Sequence, residues 1–440
     1  MLQSRVRLTT ALFLFVPSLL FLLPALVSAQ NPIERNSPKP AVSTEKAPAG
    51  HAVGEHAPDT HASGSSCTNM SPLGTAHLVF PETAGPGFAS FIDATVRVEA
   101  GERVMVGCRS FIAPFASLDG SLGPIAIGDG TDIQDNVLVS GKLVVLGDNV
   151  IIAHGATISG VVTIGASNGK PSFVGFNSYV DNATIEPDAM ITHLVRVSPG
   201  IVIHSGMKIL PGKWIKTQRE ADDTTLGKSV RMNQADRDFM AGVLHVNVAL
   251  AAGYADLLHS APTQVSGVGR DPGHSDFNHD SDMPTFAGKP ESHPESGNRL
   301  IGAVRMADSF AALGQKLGHQ ISIRADEGEH FQFGLIGHFQ DRITFHALEH
   351  SDIEVGGNST LGYHVVVHGG ADDGSEPHDI MRLGDNVTVR DWAVVFRSKI
   401  GAGSTIGVRA YVDGSHLAPG TVVPDRAIMI KDKLIGYVEW

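Results

Sequence analysis

The sequence predicts a mainly β chain built of two parallel β-helices in tandem, the first followed by a long α-helix. Three observations carry that reading. Apolar residues recur at every sixth position over long stretches, the pattern of a coil whose short strands each turn one residue inward. The repeat breaks for a helical pattern and a linker, then returns. Glycine is abundant at 49 residues and aromatics are few at 6%, which suits a turn-rich β architecture better than a helical bundle.

The elements follow in chain order. Residues 1–29 read as a secretory signal: Arg5 and Arg7 precede the apolar run Leu8–Leu26, and Val27-Ser28-Ala29 is a small-residue cleavage site. The run is long enough to span a membrane, but Pro17 and Pro24 interrupt it, so cleavage without stable membrane insertion is expected. The protein is then periplasmic or extracellular. Residues 30–75, rich in Pro, Ala, Ser, Gly and Thr, form a flexible leader whose His51, His56 and His61 read as solvated. Cys67 and Cys108 are the two cysteines; a disulfide and two separate thiols are both open.

The first β-helix domain is expected over 76–260. Ala94, Ala100, Val106 and Ile112 start its first hexads, and Leu146, Ile152, Ile158 and Ile164 the next. Ile185, Ile191, Val197, Ile203 and Ile209 continue the series. A helix is expected at about 228–259, where Phe239, Val243, Val246, Leu250, Tyr254 and Leu257 follow steps of three and four; it should cover an open edge of the coil. A linker spans 261–299 and the second β-helix 300–440. There the hexads start at Leu317, Ile323, Phe339, Phe345, Leu361 and Val367, and further series follow through Leu383, Val389 and Val395 and through Ile400, Ile406 and Val412.

Three histidines stand out once placed on this repeat. His346 and His368 each follow an inward residue by one place, so they share a side of the second coil. His154 lies two places after Ile152 in the first. Aligning "IQDNVLVSGK" with "FQDRITFHAL" sets Ser140 against His346. Aligning "GDNVIIAHGATISG" with "GGNSTLGYHVVVHG" sets Ser159 against His368 and Tyr363 against His154. Each half lacks what the other holds, which suits three imidazoles around one metal with a fourth position open. His364 is the rival third ligand, turned elsewhere by the register.

The stretches "SIRADEGEHFQFGLIGHFQDRITFHALE" (322–349), "LGDNVIIAHG" (146–155), "VHGG" (367–370) and "HVNVALAAGY" (245–254) resemble the gamma-class carbonic anhydrases. With the repeats, the resemblance takes in about two thirds of the chain. It implies left-handed hexapeptide β-helices that self-associate through their faces, with a metal between subunits. It implies His346 and His368 as same-subunit ligands and His154 as the neighbour's. Glu349 matches the proton-shuttle glutamate, Glu327 an acidic residue beside the metal, and Gln340 the glutamine that hydrogen-bonds the nucleophile. Arg324 and Asp341 match an interface pair, and Asn247 an asparagine near the substrate pocket. Ala113 stands in the first half where Arg324 stands in the second, so fusion followed by decay of one of two metal faces is inferred.

The expected activity is reversible hydration of carbon dioxide to bicarbonate. Zn2+ is the default cofactor for imidazole ligands, and Fe2+ or Co2+ suit the same set. A non-catalytic metal-binding or scaffold protein is the alternative. A hexapeptide acyltransferase fits less well, because export removes the chain from acyl-CoA. Net charge is −13 without a basic segment, which argues against nucleic-acid binding.

Overall fold

Short strands that place one branched residue inward, with turns between them, can bury that residue only by stacking on the next coil. The computed structural model shows such stacking. It describes residues 70–73, 78–79, 88–165, 169–261, 283–290, 297–327, 330–348, 351–370 and 379–440, all in one unit, Gly64–Trp440. The expected signal, the leader up to residue 69 with Cys67, and Glu349 lie outside the described residues. The end of the expected leader is ordered instead of flexible: Ser71–Pro72 pairs antiparallel with Met105–Val106, and Leu73 is buried in the first core. Cys108 is disulfide-bonded.

The structure is mostly β with few helices, and its strands form two successive stacks. In the first, Ile112, Ile133, Ile152, Val174, Ile191 and Ile209 pair in parallel register, one coil to the next, each at 0% exposure. In the second, Leu300, Ile323, Phe345, Val367, Val395 and Val412 do the same. Within the stacks neighbouring coils pair in parallel. Antiparallel pairs occur at the margins: Leu78–Val79 on Ser90–Ile92, Ser229–Arg231 on Met207–Ile209, and Lys433–Tyr437 on Ala427–Ile430. Such pairs close strand edges that a repeating coil leaves open.

The hexad register fails at the start. Ala94 is exposed and Ala100 half-buried, while Ile92 and Val98 pair with Ile112 and Leu118 of the next coil. A 3-10 turn at Gly101–Arg103, entered from Ala100 at φ 50°, shifts the phase before Val104 and Val106. The expected linker also contains structure: Thr285–Phe286 pairs in parallel with Arg305–Met306, and Phe286 is buried against Phe310.

The long helix runs over Gln234–Ser260, starting later than expected because Asn233 caps it in a reciprocal box with Asp236. Residues Ser229–Arg231 before it are a strand. Its buried face, including Met240, Val243, Leu244, Leu250 and Tyr254, lies on the first stack. The two stacks meet along a seam. At its foot Glu439 reaches Lys228 at 2.8 Å and Lys213 at 3.3 Å, and Trp440 Nε1 donates to the Leu194 carbonyl at 2.6 Å.

Candidate metal centre

Parallel register aligns side chains into columns, and two columns form the seam. After the inward residues of the second stack come Arg324, His346, His368 and Phe396, paired one above another. Two places after the inward residues of the first come Asp135, His154, Phe176 and His193. The columns interleave. The His154 ring centroid lies 5.1 Å from that of His346 and 5.3 Å from that of His368, and Phe176 stacks on His154 and His368. Corner residues with positive φ tie the edges: Asn136 donates to Thr344, and Asn177 donates to the His364 carbonyl.

The structure thus brings His154, His346 and His368 together, one nitrogen of each within 4.8 Å of the others. Among the described residues it is the one group of three or more such side chains close enough to hold an ion. All three are buried. His368 Nδ1 donates to the Gly369 carbonyl at 2.6 Å, which leaves Nε2 as an acceptor facing His346 Nδ1 at 3.2 Å. His154 Nδ1 lies 3.1 Å from Asp135, and its Nε2 has no hydrogen-bond partner. Burial lowers His154 to about 4, with Asp135 opposing. Burial acts on His346 in the same sense, as does Arg324, but Glu327 and Asp326 prevail and hold it up at about 9.

Residues present fit a metal ion. Three imidazoles meet inside the protein, one nitrogen is left without a partner, and carboxylate or carbonyl groups stand behind each ring. That backing is what metal-ligating histidines require to fix tautomer and orientation.

Arg324 ties the halves together behind the rings. It is fully buried, donates to Asp135 at 3.0 Å through Nη2 and to Asp326 at 2.6 Å through Nη1. Burial would raise both carboxyls, but Arg324 outweighs it and holds them well below their usual range. Ser322 adds a 2.6 Å hydrogen bond to Asp135, and Tyr254 of the long helix one of 2.5 Å to Asp326.

The remaining candidates divide. Glu327 is at the site, its Oε1 3.1 Å from His346 Nε2. Asn247 borders it, donating to the Val243 carbonyl of its own helix. Glu349 lies outside the described residues. Gln340 and Asp341 are corrections: both are exposed, and Asp341 accepts from the His319 backbone. They follow Phe339, on a different sheet of the second stack from Arg324. The equivalents at the seam are Gln134 and Asp135 of the first half, readable from the alignment that set Ser140 against His346. His364 is hydrogen-bonded to Asn177 and stacked on Trp392, outside the triad. Asp326, His193 and Tyr254 also stand at or behind the rings, beyond the residues expected from sequence.

A cavity of about 20 Å³ opens beside His346 and His368, bordered by Gln134, Asn247 and Glu327 and otherwise walled mainly by Phe173, Phe176, Phe239, Val243 and Phe396. It has room for a molecule of a few atoms. A larger cleft, about 700 Å³, lies on the outer face of the second stack and holds none of these residues.

No protein-family profile matches the chain. Individual relatives do. The carnitine operon protein CaiE of Shigella flexneri is 30% identical over 151 residues, 33% of this chain and 72% of that protein. The chain belongs to the broad hexapeptide-repeat, gamma-carbonic-anhydrase-like family. Within that family, a carbonic anhydrase from Methanosarcina thermophila is 28% identical over 207 residues, 40% of this chain and 77% of that protein. The carboxysome assembly protein CcmM of Nostoc sp. is 30% identical over 165 residues, but the match spans only 28% of its length and 34% of this chain. The family assignment does not separate an anhydrase from its other members.

Proposed function

We propose that the protein is an exported metal-dependent carbonic anhydrase built from two left-handed β-helices fused in tandem. The observation that carries this reading is the meeting of His154, His346 and His368 across the seam, each ring backed by a second polar group. These three residues would hold the ion, Zn2+ by default with Fe2+ or Co2+ as alternatives. When bound, the metal supplies the Lewis acidity that makes water nucleophilic near neutral pH.

The chain's own residues do the rest. Phenylalanines and Val243 wall most of a small cavity that suits an apolar triatomic substrate. Gln134 and Asn247 offer the amides that orient it, in place of Gln340. Glu327, beside His346, accepts a proton inside the site, and Glu349 takes the role of proton carrier to solvent. The cavity's size opposes acyl transfer, whose substrates need far more room.

The test is metal content together with carbon dioxide hydration on the full mature protein, with His154→Ala alongside. About one metal per chain is expected, lost or much weakened in the variant. Two metals per chain, or full activity in the variant, would overturn the shared site. A second reading, a non-catalytic scaffold, is favoured by Ser140, Ser159 and Tyr363 standing where a second site's ligands belong. It predicts retained metal without hydration.

A further inference from the structure

We infer that Tyr254 is a positioning residue of the metal centre: its hydroxyl, carried by the long helix of the first half, fixes Asp326 and through it the imidazole of His346. The inference rests on the reading that the three histidines hold a metal.

The Tyr254 ring needs no hydroxyl for packing. It packs against Phe91 and Phe111, with centroids 5.0 and 5.9 Å away, in a patch where a phenylalanine would pack equally well. Yet the hydroxyl is buried and donates to Asp326 Oδ2 at 2.5 Å, a charge-assisted bond in the strong class. Asp326 in turn takes both contacts from Arg324 Nη1, and its Oδ1 lies 3.4 Å from His346 Nε2. Three groups therefore share one carboxylate, and the hydroxyl determines how much of its charge is left for the imidazole. It also fixes the carboxylate's rotation, and hence where His346 presents its other nitrogen.

The geometry gives the helix a second task. It covers the first stack, and it also extends a polar arm into the half that supplies two of the three histidines. Removing the hydroxyl leaves a buried carboxylate short of one donor, which it recovers only by turning toward Arg324 or His346.

The experiment uses the full protein and Co2+, whose visible absorption reports ligand geometry. Tyr254→Phe keeps the ring stack and should weaken Co2+ affinity about tenfold or more, measured by chelator competition, with an altered cobalt spectrum. Leu250→Val, a packing change on the same helix, should lower the thermal midpoint and leave affinity and spectrum as in wild type. Wild-type affinity and spectrum in Tyr254→Phe would overturn the inference. So would equal losses in both variants, since packing would then account for them. Failure of the wild-type protein to bind Co2+ would instead bring down the metal reading beneath it.

Discussion

Gln134 and Gln340 hold the same place in the repeat, and only one of them faces the histidines. The second stack carries three sheets, and its two histidines lie on one of them while Gln340 follows Phe339 of another. The partner of Arg324 is therefore the first half's Asp135, and the amide beside the cavity is that of Gln134. Replacing Gln134 with alanine should reduce carbon dioxide hydration about tenfold or more, whereas Gln340→Ala should stay within about twofold of wild type, in steady-state assays of both. Asp135→Asn should be costlier to the fold. It removes a charge from a fully buried pair with Arg324, a change that typically destabilises by about 3–5 kcal/mol, read from denaturant unfolding. The histidine positions were legible because a hexad fixes which residues face outward. Which sheet meets which is a property of packing between coils, and no period within one coil records it. That is why His154 was placed at the seam while Gln134 and Asp135, on the adjacent coil, were not.

Among the elements, the inward hexads were readable from Ile112 onward because apolar residues keep the period in blocks longer than the insertions between them, such as the bulge between Ser140 and Leu143. Before that point the turn at Gly101–Arg103 breaks the phase, and two alanines mimicked a continuation. Helix periodicity marked the buried stripe of Gln234–Ser260, but the start depended on the Asn233 cap, a polar signal that apolar spacing ignores. The corner carrying His364 offers a test at this scale. Burial, then Arg342, lowers His364 to about 3; the ring is enclosed by Asn177, Tyr363 and Trp392. The unfolded chain protonates this histidine near 6.5 and the folded chain does not. Its contribution to stability is therefore complete above about pH 6.5 and falls as the pH drops toward 3. Between neutral pH and pH 5 the loss should be about 2 kcal/mol, and His364→Gln should remove that part of the fall, measured by urea unfolding at pH 7.5 and 5.0. An unchanged difference in the variant would assign the pH dependence elsewhere.

Across the whole molecule, the seam couples two stacks that have separate hydrophobic cores. If the metal bridges them, added Zn2+ should raise the unfolding midpoint of both in a single calorimetric transition, because the ion binds only when the halves are apposed. Two transitions of which only one moves would show that one half holds the ion alone. The tail that joins Glu439 to Lys213 and Lys228, and Trp440 to Leu194, reinforces that apposition from the second stack. A site assembled from separate chains dissolves as the protein becomes scarce. Here both contributors lie on one polypeptide, so their encounter is intramolecular, with an effective local concentration that dilution cannot lower. Activity per molecule should then stay constant down to concentrations at which associating subunits have parted.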